Sequence, residues 1–190
     1  KPVAIGGVMG GLESEVSDDT VDVLLEAALF NPGSIRATSK ILGLSTDASY
    51  RFERGVDPEG IERAVSRATA LIVAITGGVI DGPVLDCCPA GFEADVVSLR
   101  LSRIEHVLGV SFTSAEVQSL LKPLGFELVD DKEGVLDLRV PGFRSYDVTR
   151  EIDLIEEVAR THGYDKIQAE MRPYRPSTVP LHPMFELEDE

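Results

Sequence analysis

The chain has few basic residues. Its 190 residues include 18 Lys+Arg against 33 Asp+Glu, which gives a formal net charge of -15. Proteins that bind nucleic acid by neutralising phosphates depend on an excess of cationic side chains. The composition therefore argues against a free-standing nucleic-acid binder. It leaves open metal binding, or a complex whose basic surfaces lie on another chain.

Long apolar runs, a secretory leader and a usable disulfide pair are also missing from the sequence. No apolar run approaches the ~20 residues that span a bilayer, and no basic segment precedes an apolar one near the start. The cysteines are the neighbours Cys87 and Cys88; Cα atoms only ~3.8 Å apart would strain a bridge between them. We expect no membrane segment and two free thiols in a reducing cytoplasm. Because the chain starts at Lys1 rather than Met, we also expect an excised piece of a longer protein.

The composition that remains is that of a globular protein. Hydrophobic residues make up 43% of a chain long enough for one ordinary domain or two small ones. The stretch 82–94 carries two prolines, two glycines and no helical period, which predicts a boundary. We therefore predict domains at 1–85 and 95–168, a linker at 86–94, and an extended, proline-rich tail at 169–190.

The first half alternates candidate strands and helices. Apolar residues around Glu26 predict a strand over 21–30, followed by a turn and a short helix over 35–42. A longer helix is predicted over 57–76, capped by Asp57 and ended by glycine. The predicted class is a partial mixed α/β module.

The second half shows a different pattern. Ser102-x-x-Glu105 and Thr113-x-x-Glu116 are both capping-box patterns that precede short helices. Alternating residues over 135–140 predict a hairpin with 126–129, and a further helix is predicted over 149–162. Two short helices followed by a hairpin is the order of a helix-turn-helix with a wing. The whole chain is therefore predicted to be α+β, with a small winged-helix-like module second.

Four carboxylates near the last helix form one candidate site. Asp153 lies three and four residues from Glu156 and Glu157, so the three share a helix face, and Asp147 precedes them. Oxygen ligands converging in this way suit Mg²⁺. A solvated acidic face near a helix N-terminus is the alternative, and the spacing alone favours it.

A second candidate is Glu26, which interrupts an apolar run. A carboxylate held near apolar groups needs a partner, so Glu26 is either a ligand-facing acceptor or a residue on the wet face of a strand. The small polar residues of 45–49 are typical both of pockets and of loops. The three histidines have no partner at metal-ligand or triad spacing, and neither common phosphate-binding glycine pattern occurs.

Several longer motifs resemble one family in its order along the chain. They are residues 7–11 (GVMGG), 24–30 (LLEAALF), 44–58 (LSTDASYRFERGVDP), 153–160 (DLIEEVAR) and 163–164 (GY). Together they resemble the beta subunit of bacterial-type phenylalanyl-tRNA synthetase over residues 1 to about 170. Because that subunit is several times longer, the resemblance implies that this chain is a fragment of the beta subunit of a phenylalanine–tRNA ligase.

For the first module, the resemblance implies the editing site that hydrolyses tyrosine mischarged onto phenylalanine tRNA. Carried over by motif, the pocket is lined by Glu26, Thr46 and Ala48, with the backbone of Gly7 and Gly10 nearby. Tyrosine differs from phenylalanine by one hydroxyl, and a pocket that hydrogen-bonds this hydroxyl rejects the analogue lacking it. No residue here resembles a nucleophile, so we expect no catalytic residue in the fragment and a positioned water as the attacking group.

For the second module, the resemblance implies Mg²⁺ bound by Asp147, Asp153, Glu156 and Glu157 at a site shared with the alpha subunit. Asp147 is the least secure ligand, because the segment 143–147 is a residue longer than the family's commonest form. The full enzyme uses ATP, which this fragment is not expected to bind. The implied partners are the alpha subunit and tRNA(Phe), and the implied location is the cytoplasm. We expect the isolated fragment to be inactive and to self-associate through exposed apolar surface.

The alternative hypothesis is a winged-helix nucleic-acid-binding module fused to an unrelated domain. It requires cationic side chains on the second short helix, and that helix offers Lys122 alone. The presumed wing is acidic, which disfavours contact with phosphates.

Overall fold

The computed structural model describes residues 1–87 and 91–168. The first part, up to Cys87, contains the short antiparallel strands β1 (Ala4–Ile5) and β2 (Met9–Gly10). They are followed by the helices α1 (Pro32–Leu42), α2 (Asp47–Phe52) and α3 (Ile61–Thr76). No helix within the two described ranges is long and apolar enough to cross a bilayer.

Local hydrogen bonds explain where these helices begin and end. The Asn31 side chain accepts the Ser34 N–H at 3.0 Å and starts α1, which ends at Gly43 with φ +65°. The predicted long helix begins at Ile61 rather than at 57. The reason is that the Asp57 carboxylate accepts the Glu59 N–H at 3.0 Å and holds a separate turn. Its predicted end before Gly77 is correct.

The predicted strand over 21–30 is wrong. Residues 20–31 form neither helix nor strand, and Val21 and Leu24 are 91% and 94% exposed. A strand needs a neighbouring strand to pair its backbone groups. Among the described residues, none lies alongside this segment.

The second part forms one layer of helices against a small sheet. Its order is β3 (Val96–Arg100), α4 (Leu101–Leu108), α5 (Ser114–Leu121), β4 (Glu127–Lys132), β5 (Val135–Arg139) and α6 (Glu151–His162). The sheet is antiparallel with β5 between β3 and β4, and Leu138 stands opposite Val97. The predicted hairpin and the mixed α/β class are confirmed, with two short helices preceding the hairpin.

One predicted cap in this part is correct and the other is wrong. Thr113 and Glu116 form the reciprocal capping box that starts α5. Ser102 caps nothing, because β3 runs directly into α4 and Leu101 is already helical. The Leu101 N–H donates to the carbonyl of Gly134 in the hairpin at 2.9 Å, so tertiary structure replaces the cap.

The main core lies between the sheet and the helices of the second part. Apolar side chains at alternate positions of β3 and β5 face the apolar sides of α4, α5 and α6. The buried cluster comprises Val97, Leu99, Ile104, Val117, Leu121, Phe126, Leu136, Leu138, Val140, Val148, Leu154, Ile155 and Val158. Burial of this contiguous cluster gives the second part a core of its own.

Candidate functional site

An open cavity of about 390 Å³ lies in the first part, between the β1–β2 turn, the segment around Glu26 and the start of α2. It is lined by Ala4, Ile5, Gly6, Gly7, Val8, Met9, Gly10, Glu26, Phe30, Thr46, Asp47 and Ala48. The structure thus brings Glu26, Thr46, Ala48, Gly7 and Gly10 to one place. Positions up to 41 residues apart in the chain meet there.

Glycine at position 7 is required by the turn between β1 and β2. Gly7 has φ +69°, and a Cβ there would lie 2.6 Å from the Ile35 Cδ1 and 2.8 Å from the Phe30 Cδ2. The close approach of the Gly7 backbone to these two side chains therefore shapes the wall of the cavity. At Gly10, by contrast, a Cβ would meet nothing within 4 Å.

Thr46 joins the start of α2 to this turn. Its hydroxyl donates to the carbonyl of Val8 at 2.5 Å and accepts the Ser49 N–H at 3.1 Å. The Ser49 hydroxyl in turn accepts the Thr46 N–H at 2.9 Å and is itself buried. This reciprocal capping box fixes the Thr46 side chain, and the hydroxyl already donates its proton to the Val8 carbonyl. Thr46 therefore shapes the cavity and does not act as a nucleophile.

Glu26 lies at the open edge of the cavity. The residue is exposed, and it lines the cavity together with apolar residues such as Val8 and Phe30. A carboxylate in this position can accept hydrogen bonds from a ligand. The cavity floor is apolar, and Phe30 packs edge-to-face on Phe52 with ring centroids 4.9 Å apart.

Sequence reasoning missed the second acidic residue of this cavity. Asp47 lines the cavity beside Thr46 and is the first residue of α2. The Thr46-x-x-Ser49 spacing was the signal for this short helix, because either hydroxyl can cap the other's backbone N–H.

The four carboxylates of the predicted magnesium site lie in the second part, and arginines hold three of them. Arg144 donates to the Glu157 Oε1 at 2.8 Å and to the Asp147 Oδ2 at 2.9 Å. Arg160 donates to the other oxygen of Glu157 at 2.5 Å. Asp153 accepts from the Arg150 side chain and from two backbone N–H groups ahead of α6. These bonds start the helix and anchor its buried side.

The arginines also change the acidity of these groups. The hydrogen bond from Arg144 is the main reason that the pKa of Glu157 lies below its ordinary value, with burial acting in the opposite direction and Arg160 adding to the lowering. The pKa of Asp153 is lowered first by the Arg150 side chain and then by backbone N–H groups. The folded structure therefore favours the ionised form of both carboxylates.

As they lie here, the four residues do not fit a magnesium ion. Among residues 1–87 and 91–168, no group of three or more potential metal ligands converges on one point. The arginine partners of Asp147, Asp153 and Glu157 already neutralise the charge that a cation would need.

Comparison with known families follows the same division of the chain. Residues 1–77 match the profile of the B3/4 domain, and residues 97–164 match that of the tRNA synthetase B5 domain. The chain carries the B3/4 and B5 domains of the phenylalanyl-tRNA synthetase beta-subunit family.

Relatives with curated names agree along the whole chain. It is 45% identical over 190 residues to the phenylalanine–tRNA ligase beta subunit of Protochlamydia amoebophila, covering 100% of this chain and 24% of the relative. It is 48% identical over 171 residues to that of Syntrophus aciditrophicus, covering 88% of this chain and 21% of the relative. The chain thus spans about a quarter or less of the length of these relatives.

A solved structure is also similar to part of the chain. It is an N-terminal fragment of the phenylalanyl-tRNA synthetase beta subunit from Pyrococcus horikoshii, at 25% identity and a TM-score of 0.34. The match covers 38% of this chain and 20% of that one.

Proposed function

We propose that the cavity of the B3/4 domain selects tyrosine for hydrolytic removal from mischarged phenylalanine tRNA. The observation that carries this proposal is the meeting of Glu26, Thr46, Ala48, Gly7 and Gly10 around one opening. A carboxylate at the edge of an apolar cavity can accept a hydrogen bond from the phenolic hydroxyl of tyrosine. Phenylalanine has no such hydroxyl, so the same cavity holds it less well.

The cavity supplies recognition rather than a nucleophile. Its lining contains no cysteine, histidine or lysine, and the Thr46 hydroxyl is committed to the Val8 carbonyl. Hydrolysis therefore uses a water positioned with the help of the bound tRNA. In this proposal the chain works as part of a cytoplasmic ligase whose alpha subunit carries out aminoacylation with ATP.

The test compares Glu26→Gln with Glu15→Gln, both exposed carboxylates, of which only Glu26 lines the cavity. Each is introduced into a complete beta subunit carrying this segment, assembled with the alpha subunit. We expect Glu26→Gln to lower the rate of tyrosyl-tRNA(Phe) hydrolysis at least tenfold and Glu15→Gln to leave it unchanged. An unchanged rate in Glu26→Gln would overturn the assignment of the cavity.

The 190-residue chain alone gives a second test, of whether the cavity supplies recognition without hydrolysis. We expect it to deacylate tyrosyl-tRNA(Phe) no faster than buffer, because it lacks the partners that position the tRNA. Robust hydrolysis by this chain, lost in Glu26→Ala, would contradict the proposal that it supplies recognition only.

Magnesium at Asp147, Asp153, Glu156 and Glu157 is a separate proposal that rests on the family resemblance. It requires the arginine pairs described above to open, so we expect no heat of Mg²⁺ binding from the isolated chain. Calorimetry with and without the alpha subunit tests this. Binding by the isolated chain would show that the arginines are displaced without a partner. The acidic hairpin and the single lysine Lys122 at the end of α5 give no support to the alternative of a nucleic-acid-binding wing.

A further inference from the structure

The B3/4 and B5 domains touch at a small surface outside the cavity of the B3/4 domain. On the B3/4 side it is formed by the loop 53–60, between α2 and α3. On the B5 side it is formed by the turn 142–146, which precedes α6. Residues 53–58 of the loop belong to the longest motif singled out in the sequence, and the cavity accounts only for that motif's beginning.

A hydrogen bond crosses this surface. The backbone N–H of Gly142 donates to the Glu59 Oε2 at 2.9 Å, across 83 positions of sequence. Gly142 is buried, so this amide would lose a partner rather than exchange it freely for water. The acceptor is a charged carboxylate, and bonds of this kind are stronger than those between neutral groups.

Two glycines, one in each domain, allow the close approach. A Cβ at Gly142 would lie 2.6 Å from the Asp57 Oδ1 and 2.8 Å from the Glu59 Oε2. Gly55 has φ +89°, and a Cβ there would overlap the ring of Tyr146. Each domain therefore presents a glycine to a side chain of the other, which is a reciprocal fit rather than a single contact.

Both sides of the surface are held rigidly by their own domains. In the loop, the N–H groups of Glu53 and Gly55 bond back to the last turn of α2. In the turn, Arg144 bonds to the carbonyl of Pro141 through its N–H and to Glu157 of α6 through its side chain. A contact between two rigid surfaces transmits orientation, whereas the described linker residues 86–87 and 91–94 form neither helix nor strand.

We infer that the loop 53–60 is a docking surface for the turn 142–146 and sets the orientation of the B5 domain relative to the cavity. The partner that this surface fits is the chain's own second domain. The inference is independent of what the cavity binds.

The first measurement is exchange of the Gly142 amide proton by NMR in the whole chain. Loss of a hydrogen bond to a charged acceptor predicts about tenfold or more faster exchange in Glu59→Ala. Glu62→Ala is the matched control, because Glu62 is an exposed glutamate in the first turn of α3, three residues further along. In Glu62→Ala the Gly142 amide should exchange at the same rate as in the unsubstituted chain.

The second measurement reports orientation by pulsed electron paramagnetic resonance. Spin labels are placed at Arg67→Cys on α3 and Ser119→Cys on α5, with Cys87 and Cys88 replaced by serine. We expect Tyr146→Ala to broaden the distance distribution several-fold. Tyr164→Ala should leave it unchanged, because Tyr164 is a 60% exposed tyrosine of the B5 domain that lies outside this surface.

Tyr146 is 46% exposed and Glu59 is also exposed, so both variants are expected to fold. Unchanged Gly142 exchange in Glu59→Ala would overturn the docking contact. Faster exchange with an unchanged distance distribution in both variants would show that the contact forms without setting orientation, which also overturns the inference.

Discussion

The B5 domain buries a contiguous apolar cluster, whereas in the described B3/4 residues the buried apolar side chains are Val8 and Ile35. In the first part, Leu24 and Val21 are more than nine-tenths exposed, and Ile75 on α3 is 80% exposed. Since apolar burial is the main stabilising term in folding, the two domains should differ widely in stability. The comparison teaches that the candidate editing cavity sits in the part of the chain with the weaker core.

The largest expected effect comes from emptying the B5 core. Leu136→Ala, at a position with 0% exposure, should lower the free energy of unfolding by about 2–5 kcal/mol. Leu24→Ala, at 94% exposure, should change it by less than about 0.5 kcal/mol. Urea denaturation followed by far-UV circular dichroism measures both. Equal effects would break the comparison between the domains.

The next effect probes a tightly packed point of the B3/4 domain. Gly7→Ala meets both a positive φ and the side chains of Ile35 and Phe30, and should cost about 1–3 kcal/mol locally. Gly10→Ala enters open space and serves as the control. The Val8 amide, which bonds to the Ile5 carbonyl at 2.9 Å, reports the change through hydrogen exchange. Faster exchange in Gly10→Ala than in Gly7→Ala would contradict this packing.

Acid should weaken the B5 domain through its arginine-bound carboxylates. The pKa values of Glu157 and Asp153 are lowered on folding, so their contribution is present above the unfolded pKa and is lost as pH falls through the folded one. Stability should therefore decline as the pH drops below about 4.5.

Glu157→Gln isolates that contribution. We expect it to cost about 1–3 kcal/mol at neutral pH and to flatten the acid decline, because the paired charge is already gone. Urea midpoints from pH 7 to pH 3 measure this. An identical decline in both proteins would assign the acid sensitivity to other groups.

The smallest effect separates the two capping patterns. Thr113→Ala removes a formed cap and should cost about 1 kcal/mol. Ser102→Ala changes a residue inside α4 and should be neutral or stabilising by up to about 0.5 kcal/mol. The same urea measurement ranks them. A larger loss of stability from Ser102→Ala than from Thr113→Ala would show that Ser102 caps α4, as the sequence predicted.

The successes of sequence reasoning about secondary structure are local. The Thr113 cap, the helix ends before Gly43, Gly77 and Gly163, and the alternating face of β5 depend on neighbours within a few residues. Such features are decided by backbone geometry and by nearby side chains, so the pattern carries enough information.

Most of the failures are tertiary, although the late start of α3 has a local cause in the bond from the Glu59 N–H to the Asp57 carboxylate. The segment 21–30 has strand composition but no strand beside it among the described residues, and β3 was missed because its partner lies some forty residues further along. Ser102 failed as a cap because the hairpin carbonyl of Gly134 takes over that role. For the candidate site, the motifs pointed to residues that share one cavity, whereas the arginine partners of the four carboxylates gave no signal in the spacing.

Glu151 shows how such a partner can join distant parts of a fold. Its carboxylate, in the first turn of α6, accepts the backbone N–H of Arg100 at 3.0 Å and two further bonds from the same residue's guanidinium. One side chain therefore secures the junction of β3 with α4 from outside both elements. Across the relatives of this domain, positions 100 and 151 should accordingly change together, and a sequence that replaces one alone should show a compensating cap at the start of α4.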